Sequence, residues 1–271
     1  MENQPRPGKP VNAESSTPAL EMCDASIGSL TDAELVVLEG VNWTVNVNDY
    51  WAIGGLQASG KSDFIATAAG IMRPLRGTFK VFGQELGAGF EHELMPTRLR
   101  LGLVFDGGRL LNHLTIAENV ALPMRYHRNL TLGEAEARTQ TLLEFIGLSE
   151  WAERRPGALR RNRQQRVGLA RALALNPEVL LLDNPLGGLD PRDSTWWLEV
   201  IDQLSAGHPI MDHRPLTLVV TGDNLRAWRD RARQFAILKN REFIILGSRS
   251  DLTAHTDPLV RDLLRSELLT T

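Results

Sequence analysis

Apolar residues recur in short, β-rich runs along the chain: Leu35 to Leu38, Trp43 to Val45, Trp51 to Ile53, Thr78 to Phe82, Leu101 to Phe105, Val179 to Leu182, Leu216 to Val220, Phe235 to Leu238 and Phe243 to Leu246. Runs of this length between turn residues predict strands. From Leu114 to Leu175 the spacing becomes helical. There Thr131 and Glu134 form a capping-box pair, Leu142, Leu143 and Ile146 recur at one-turn intervals, and Gly147 stands where that helix should end. Further on, Asp190 as N-cap, Pro191 at the first helical position and Gly207 as stop predict a helix through Ser194 to Leu204. A strand-rich start, a helical middle and a mixed finish predict an α/β chain. Residues 1–30 open with MENQPRPGKPVNAESSTPAL and read as a polar, disordered tail without the apolar core of a signal peptide.

Composition narrows this picture only slightly. A length of 271 residues with 42% hydrophobic and 23% charged positions suits one large α/β domain with a subdomain, or two modest domains. A net charge of -3 carries no global signal for nucleic acid, and none is expected as a partner. The single cysteine, Cys23, excludes an internal disulfide. No charge-free apolar stretch approaches the roughly 18 residues of a membrane span, which makes a cytoplasmic protein the expectation.

The first clear chemistry follows the apolar run Trp51 to Ile53. Gly55-Leu56-Gln57-Ala58-Ser59-Gly60-Lys61-Ser62 fits the phosphate-loop spacing G-x-x-x-x-G-K-[ST], and the helix-forming stretch Phe64 to Ala69 comes directly after it. Glycines let the backbone wrap a phosphate, the amides and helix N-terminus stabilise its charge, Lys61 reaches the terminal phosphates, and Ser62 can ligate Mg2+. Two residues strain the pattern. Asp63 puts a carboxylate beside the helix start, where it suits the helix dipole but repels a bound anion. Ala58 costs about 1 kcal/mol if the backbone there needs a positive φ.

The order of this loop, then Leu103-Val104-Phe105-Asp106, then Leu159 to Leu173, then Val179 to Pro191, resembles the ATP-binding subunit of an ABC transporter. The strongest match is Gln164-Gln165-Arg166-Val167-Gly168-Leu169-Ala170-Arg171-Ala172-Leu173, with Leu180-Leu181-Leu182-Asp183 and Gly188-Leu189-Asp190-Pro191 behind it. A P-loop kinase does not explain this match. The resemblance implies a P-loop NTPase core of RecA type with an antiparallel β subdomain and an inserted α-helical subdomain. The expected division is an ABC-type domain over 31–250, its helical insertion at about 114–175, and a C-terminal helical extension over 251–271. Implied cofactors are ATP and Mg2+, the metal held by Ser62 and Asp183, with Asp106 a further candidate ligand. Implied partners are integral-membrane permease subunits and a second ABC ATPase, identical or different, with the chain peripheral on the cytoplasmic face of the inner membrane. Within the family, Gly107 to Leu111, Glu118-Asn119-Val120, Pro123 to Leu130 and Asp257 to Leu264 look most like the Mla-type ATPases, which power phospholipid transport.

Several positions depart from the family's pattern. The glutamate that acts on the attacking water is replaced by Asn184, the switch histidine by Gly222, and the Q-loop glutamine by Asp106. Asparagine cannot accept a proton as a general base does. The small signature residues, which in the family cap the other subunit's nucleotide, are replaced by Arg160, Arg161 and Asn162 after Leu159, followed by Arg163. Those positions and Asp190, the family's D-loop residue, are expected at a dimer interface. No aromatic residue between Ser26 and Val36 can stack on adenine. The arginines at 154, 155, 160, 161, 163 and 166 read either as a solvated face or as contacts to phosphate across a dimer. Two functional expectations stand: a subunit with impaired or absent hydrolysis, or an active ATPase driving transport.

Overall fold

The computed structural model describes residues 17–265, apart from 33, 88, 89 and 129. The chain begins with β1 (Leu20–Gly28), β2 (Val36–Val45), β3 (Tyr50–Gly55), α1 (Lys61–Ala68), β4 (Arg76–Val81) and β5 (Gln84–Glu85). It continues through α2 (Glu91–Arg98), β6 (Leu101–Val104), α3 (Ile116–His127), α4 (Leu132–Phe145) and α5 (Arg161–Leu173). It closes with β7 (Val179–Leu182), α6 (Pro191–Ala206), β8 (Thr217–Gly222), β9 (Gln234–Lys239), β10 (Glu242–Gly247), α7 (Arg249–Ala254) and α8 (Pro258–Leu264).

Two sheets form. One has the order β2-β1-β4-β5 and its pairs are antiparallel. The other has the order β10-β9-β3-β8-β7-β6 and is parallel except for the β10 edge. β3, β7 and β8 are buried along their whole length, as continuous apolar runs in a parallel sheet should be. The fold is therefore a mixed α/β cassette, with α3, α4 and α5 inserted between β6 and β7.

β1 corrects the expected tail over 1–30: Leu20–Gly28 pair with both β2 and β4. Its inward alternation, Leu20 and Met22 and then Ala25 and Ile27, is broken at Asp24, which has φ 47° beside a register shift. A bulge of this kind hides the period of two from sequence reading. Residues 1–16 of the expected tail lie outside the described residues. At the other end helix begins at Arg249 rather than residue 251, and residues 266–271 of the expected extension are likewise outside the description. The capping signals hold: Thr131 accepts from the Glu134 N–H, and Asp190 accepts from the Arg192 and Asp193 N–H groups.

Apolar packing on both faces of the parallel sheet fixes the phosphate loop. On one face α1 is held by aromatic rings, with Phe64 stacked on Phe243 at 5.0 Å and tilted against Trp43 at 5.0 Å. Ring pairs at such distances add about 0.5–1.5 kcal/mol beyond the area they bury. On the other face Val167, Leu169 and Leu173 of α5 and Trp197 of α6 are buried against the sheet. Parallel register then brings the carboxyl ends together: Gly54 pairs with Gly222, Leu182 with Val220, and Val104 with Leu182. Ligands of open α/β sheets bind at that edge.

Candidate functional site

The loop from Gly55 to Ser62 leaves the central strand β3 and enters α1 at Gly60, which has φ 91° and serves as N-cap without a side-chain hydrogen bond. Ala58 has φ 61°, the left-handed backbone that its substitution for glycine made a concern. Lys61 is 8% exposed, and its ammonium donates to the carbonyls of Gly55 at 2.7 Å and Leu56 at 2.6 Å. It also pairs with Asp223, Nζ to Oδ1 2.8 Å. The Asp63 carboxylate accepts from the Leu30 N–H at 2.7 Å, so it anchors the segment after β1 instead of standing free before the loop.

Asp183 ends β7 with 2% exposure and accepts hydrogen bonds from the hydroxyls of Ser62 and Thr221, the latter at 3.1 Å. Burial raises its pKa above the usual carboxylate value, against the lowering effect of those two hydroxyls, and the nearby charge of Asp106 pushes the same way as burial. A hydroxyl and a buried carboxylate side by side are a hard oxygen donor set of the kind Mg2+ takes together with phosphate oxygens and water. No group of three or more His, Cys, Asp or Glu that could hold a metal occurs among the described residues, so protein side chains alone would leave that ion incompletely ligated. Bound there, Mg2+ would neutralise phosphate charge.

Next to this pair stand Asn184 and Gly222, which the resemblance places at the positions expected to serve hydrolysis. Asn184 has φ 47°, a conformation asparagine adopts more readily than most residues, and its N–H donates to Thr221 Oγ1 at 3.1 Å. Its carboxamide lies against Gly187, where any added Cβ would collide with it. At Gly222 a Cβ would meet nothing nearer than 3.5 Å, so a Cβ there would make only ordinary contacts with Asn224 and Trp228. Asn184, Thr221, Gly222, Asp223, Asn224 and Trp228 help line an open cavity of about 580 Å³.

Several of the substituted residues have polar partners within the chain. Asp106, a candidate Mg2+ ligand, is paired with Arg161 at 2.6 Å, so the positions expected to be Q-loop and signature residues form an ion pair within one chain. Asn162 donates to Asp193, which also pairs with Arg166 at 2.6 Å, while the Arg166 guanidinium lies 3.9 Å over the ring of Trp196. Arg161, Asn162 and Arg166 therefore have partners inside the chain, and the Arg161 side chain stays 67% exposed. Arg160 and Asp190 remain exposed at the starts of α5 and α6, and hydrogen bonds from the Asp193 and Arg192 N–H groups hold the Asp190 pKa low. Gly168 allows α5 to meet the Q-loop closely, since a Cβ there would stand 2.8 Å from the Cα of Gly108. Asp223 and Thr221 were missed as site residues. Thr221 and Gly222 close β8 and Asp223 follows it at the same sheet edge, and the place of Thr221-Gly222-Asp223 after the apolar run Leu216 to Val220 is the signal that could have drawn attention to them.

A profile of the ABC transporter family matches residues 38–187, more than half of the chain, and the chain belongs to that family. It is 34% identical over 168 residues to the methionine import ATP-binding protein MetN of Bifidobacterium longum, covering 62% of this chain and 42% of that protein. It is 30% identical to MetN of Lacticaseibacillus paracasei (83% of this chain, 65% of the relative) and 32% identical to the sulfate/thiosulfate import ATP-binding protein CysA of Mycolicibacterium paratuberculosis (85% and 61%). The chain thus spans less than two thirds of the length of these relatives. A solved ATP-binding cassette, dimeric in a post-hydrolysis state with ADP and Pi, superposes with a TM-score of 0.72 at 25% identity, over 82% of this chain and 95% of that one. CbiO1 of Clostridium perfringens, 20% identical with a TM-score of 0.70 over 88% and 92% of the two chains, shares the fold. The names among these relatives are of methionine and sulfate importers, not of the Mla type that the softer motifs suggested. Among the described residues no helix is long and apolar enough to cross a membrane.

Proposed function

We propose that this chain is the nucleotide-binding subunit of an ABC transporter complex and that its own ATP hydrolysis is impaired or absent. The observation that carries the reading is Asn184: directly after the buried Asp183, where the family's pattern has a glutamate, stands a carboxamide that cannot take a proton from water. General-base catalysis is typically worth roughly 10² to 10⁴ in rate, and Gly222 withdraws a second side chain from the same edge. Nucleotide binding is supported by the loop amides, Lys61 and the Ser62 and Asp183 pair, which together suit ATP with Mg2+.

The resemblance also bears on a dimer. There the signature residues of one subunit cap the nucleotide of the other, so Arg160 and Arg161 would face a partner's nucleotide while Asn184 and Gly222 attend this chain's own. Both sites of such a dimer would be altered by one chain, even if the partner were an intact ATPase. Membrane permease subunits would complete the complex, with this chain peripheral on the cytoplasmic face of the inner membrane. The names of the relatives favour import of a small polar nutrient such as methionine. Phospholipid transport is the second reading, resting on Gly107 to Leu111, Glu118-Asn119-Val120 and Asp257 to Leu264. The opposing view, an active ATPase, draws on the intact Lys61, Ser62 and Asp183.

Equilibrium binding of ATP with Mg2+, followed by phosphate release, in the wild type, in Lys61→Ala and in the pair Asn184→Glu with Gly222→His tests the proposal. The wild type should bind in a Lys61-dependent way. The pair should still release no phosphate, because Arg160 and Arg161 remain. Absence of any Lys61-dependent binding would remove the nucleotide-binding reading.

A further inference from the structure

The Lys61 ammonium is surrounded by three acceptors that all belong to the chain: the Gly55 and Leu56 carbonyls and the Asp223 carboxylate. An ammonium carries three hydrogens, so each is already matched and none is left for an incoming phosphate. The two carbonyls lie in the loop that positions the lysine. Asp223 differs from them in place and freedom. It follows the end of β8, on another strand of the sheet, and its side chain is 55% exposed against 8% for Lys61. It can therefore leave for water without opening buried packing, and the open cavity that Asp223 lines together with Asn184 and Gly222 gives its side chain somewhere to go. Its charge and its distance to Nζ are those a phosphate oxygen would present.

We propose that Asp223 is an internal competitor for nucleotide phosphate: it holds the Lys61 ammonium in the nucleotide-free chain, and a β- or γ-phosphate binds by exchanging with it. This rests on reading the phosphate loop as a nucleotide site. It adds a residue that sets the strength of that site and its discrimination by phosphate number. A nucleotide whose phosphates reach Lys61 must displace the carboxylate, whereas AMP, which lacks both the β- and γ-phosphate, need not. The displaced carboxylate also remains close enough to repel the bound polyanion, so its removal favours the complex twice over.

The test measures dissociation constants of ATP, ADP and AMP for the full chain as wild type, Asp223→Asn, Asp223→Ala and Lys61→Ala. Both Asp223 variants should bind ATP and ADP about three- to tenfold more tightly, the range of a partly exposed ion pair, with AMP unchanged. The gain should shrink as salt is raised, because such a pair is screened. Unchanged or weakened ATP binding in both variants, with wild-type binding still dependent on Lys61, would overturn the competitor role alone. If wild type and variants all bind no better than Lys61→Ala, the reading of the loop as a nucleotide site fails with it.

Discussion

Two stretches of the same sheet edge behave in opposite ways. From Gly55 to Ser62, with Asp183 beside them, residue types follow the phosphate-loop pattern and their geometry is coherent: Ser62 reaches Asp183, and Lys61 is buried among acceptors. Around Asn184, Gly222, Asp106 and the start of α5, where the resemblance implies substituted positions, the side chains pair within the chain, as in Arg161 with Asp106 and Asn162 with Asp193. On the reading proposed above, holding phosphate and hydrolysing it are separable. Loop backbone and one lysine supply the first, while the second needs a base and donors placed around the attacking water. A chain can keep the first while filling the second region with its own ion pairs.

The largest expected effect lies in the first region. Lys61→Ala removes a charge-assisted contact to phosphate and should weaken ATP binding by about ten- to a hundredfold in equilibrium titration. Equal affinity would erase the contrast between the two stretches. In the second region Gly168→Ala pushes a Cβ onto the Gly108 backbone and should cost about 1–3 kcal/mol in denaturant unfolding, with the Q-loop separating from α5.

Asp183→Asn sharpens the comparison through pH. Because burial holds the Asp183 pKa above its ordinary value, the folded chain binds that proton more tightly than the unfolded chain does. Its contribution to stability is therefore present at low pH and lost as pH rises through the elevated pKa. The asparagine variant should melt higher than wild type at neutral pH without ligand, yet gain nothing in nucleotide affinity from added Mg2+. Ala58→Gly, which relieves a φ of 61°, should stabilise the chain by about 1 kcal/mol in the same unfolding assay. The smallest effect belongs to the Arg161 and Asp106 pair, whose side chains are both substantially exposed. A double-mutant cycle with Arg161→Ala and Asp106→Asn should give a coupling of at most about 1 kcal/mol, and a larger value would mean that this contact holds the helical insertion in place.

Much of the architecture was legible in the sequence because local signals agreed with the fold. The apolar runs from Trp51 to Ile53 and Val179 to Leu182 are central strands, and the caps at Thr131 and Asp190 open α4 and α6. β1 was not legible, since the bulge at Asp24 interrupts its alternation, and the two-residue β5 offers too little pattern to read. In the site, the phosphate loop and the departures at Asn184 and Gly222 could be read from motif spacing. The pairing of Lys61 with Asp223 and of Arg161 with Asp106 could not, because each joins residues far apart in the chain that meet only through sheet register and helix packing. A basic run such as Arg160 to Arg166 reveals its charge in the sequence, but which carboxylate neutralises each member is a property of the tertiary structure.

The central claim, that this chain keeps phosphate binding without the means to hydrolyse ATP, is tested most directly by phosphate release from ATP with Mg2+, comparing wild type with Lys61→Ala in the chain alone and in its assembled complex. The account predicts indistinguishable release from the two proteins when no competent partner ATPase is present. Sustained turnover by the wild type that Lys61→Ala abolishes would contradict it.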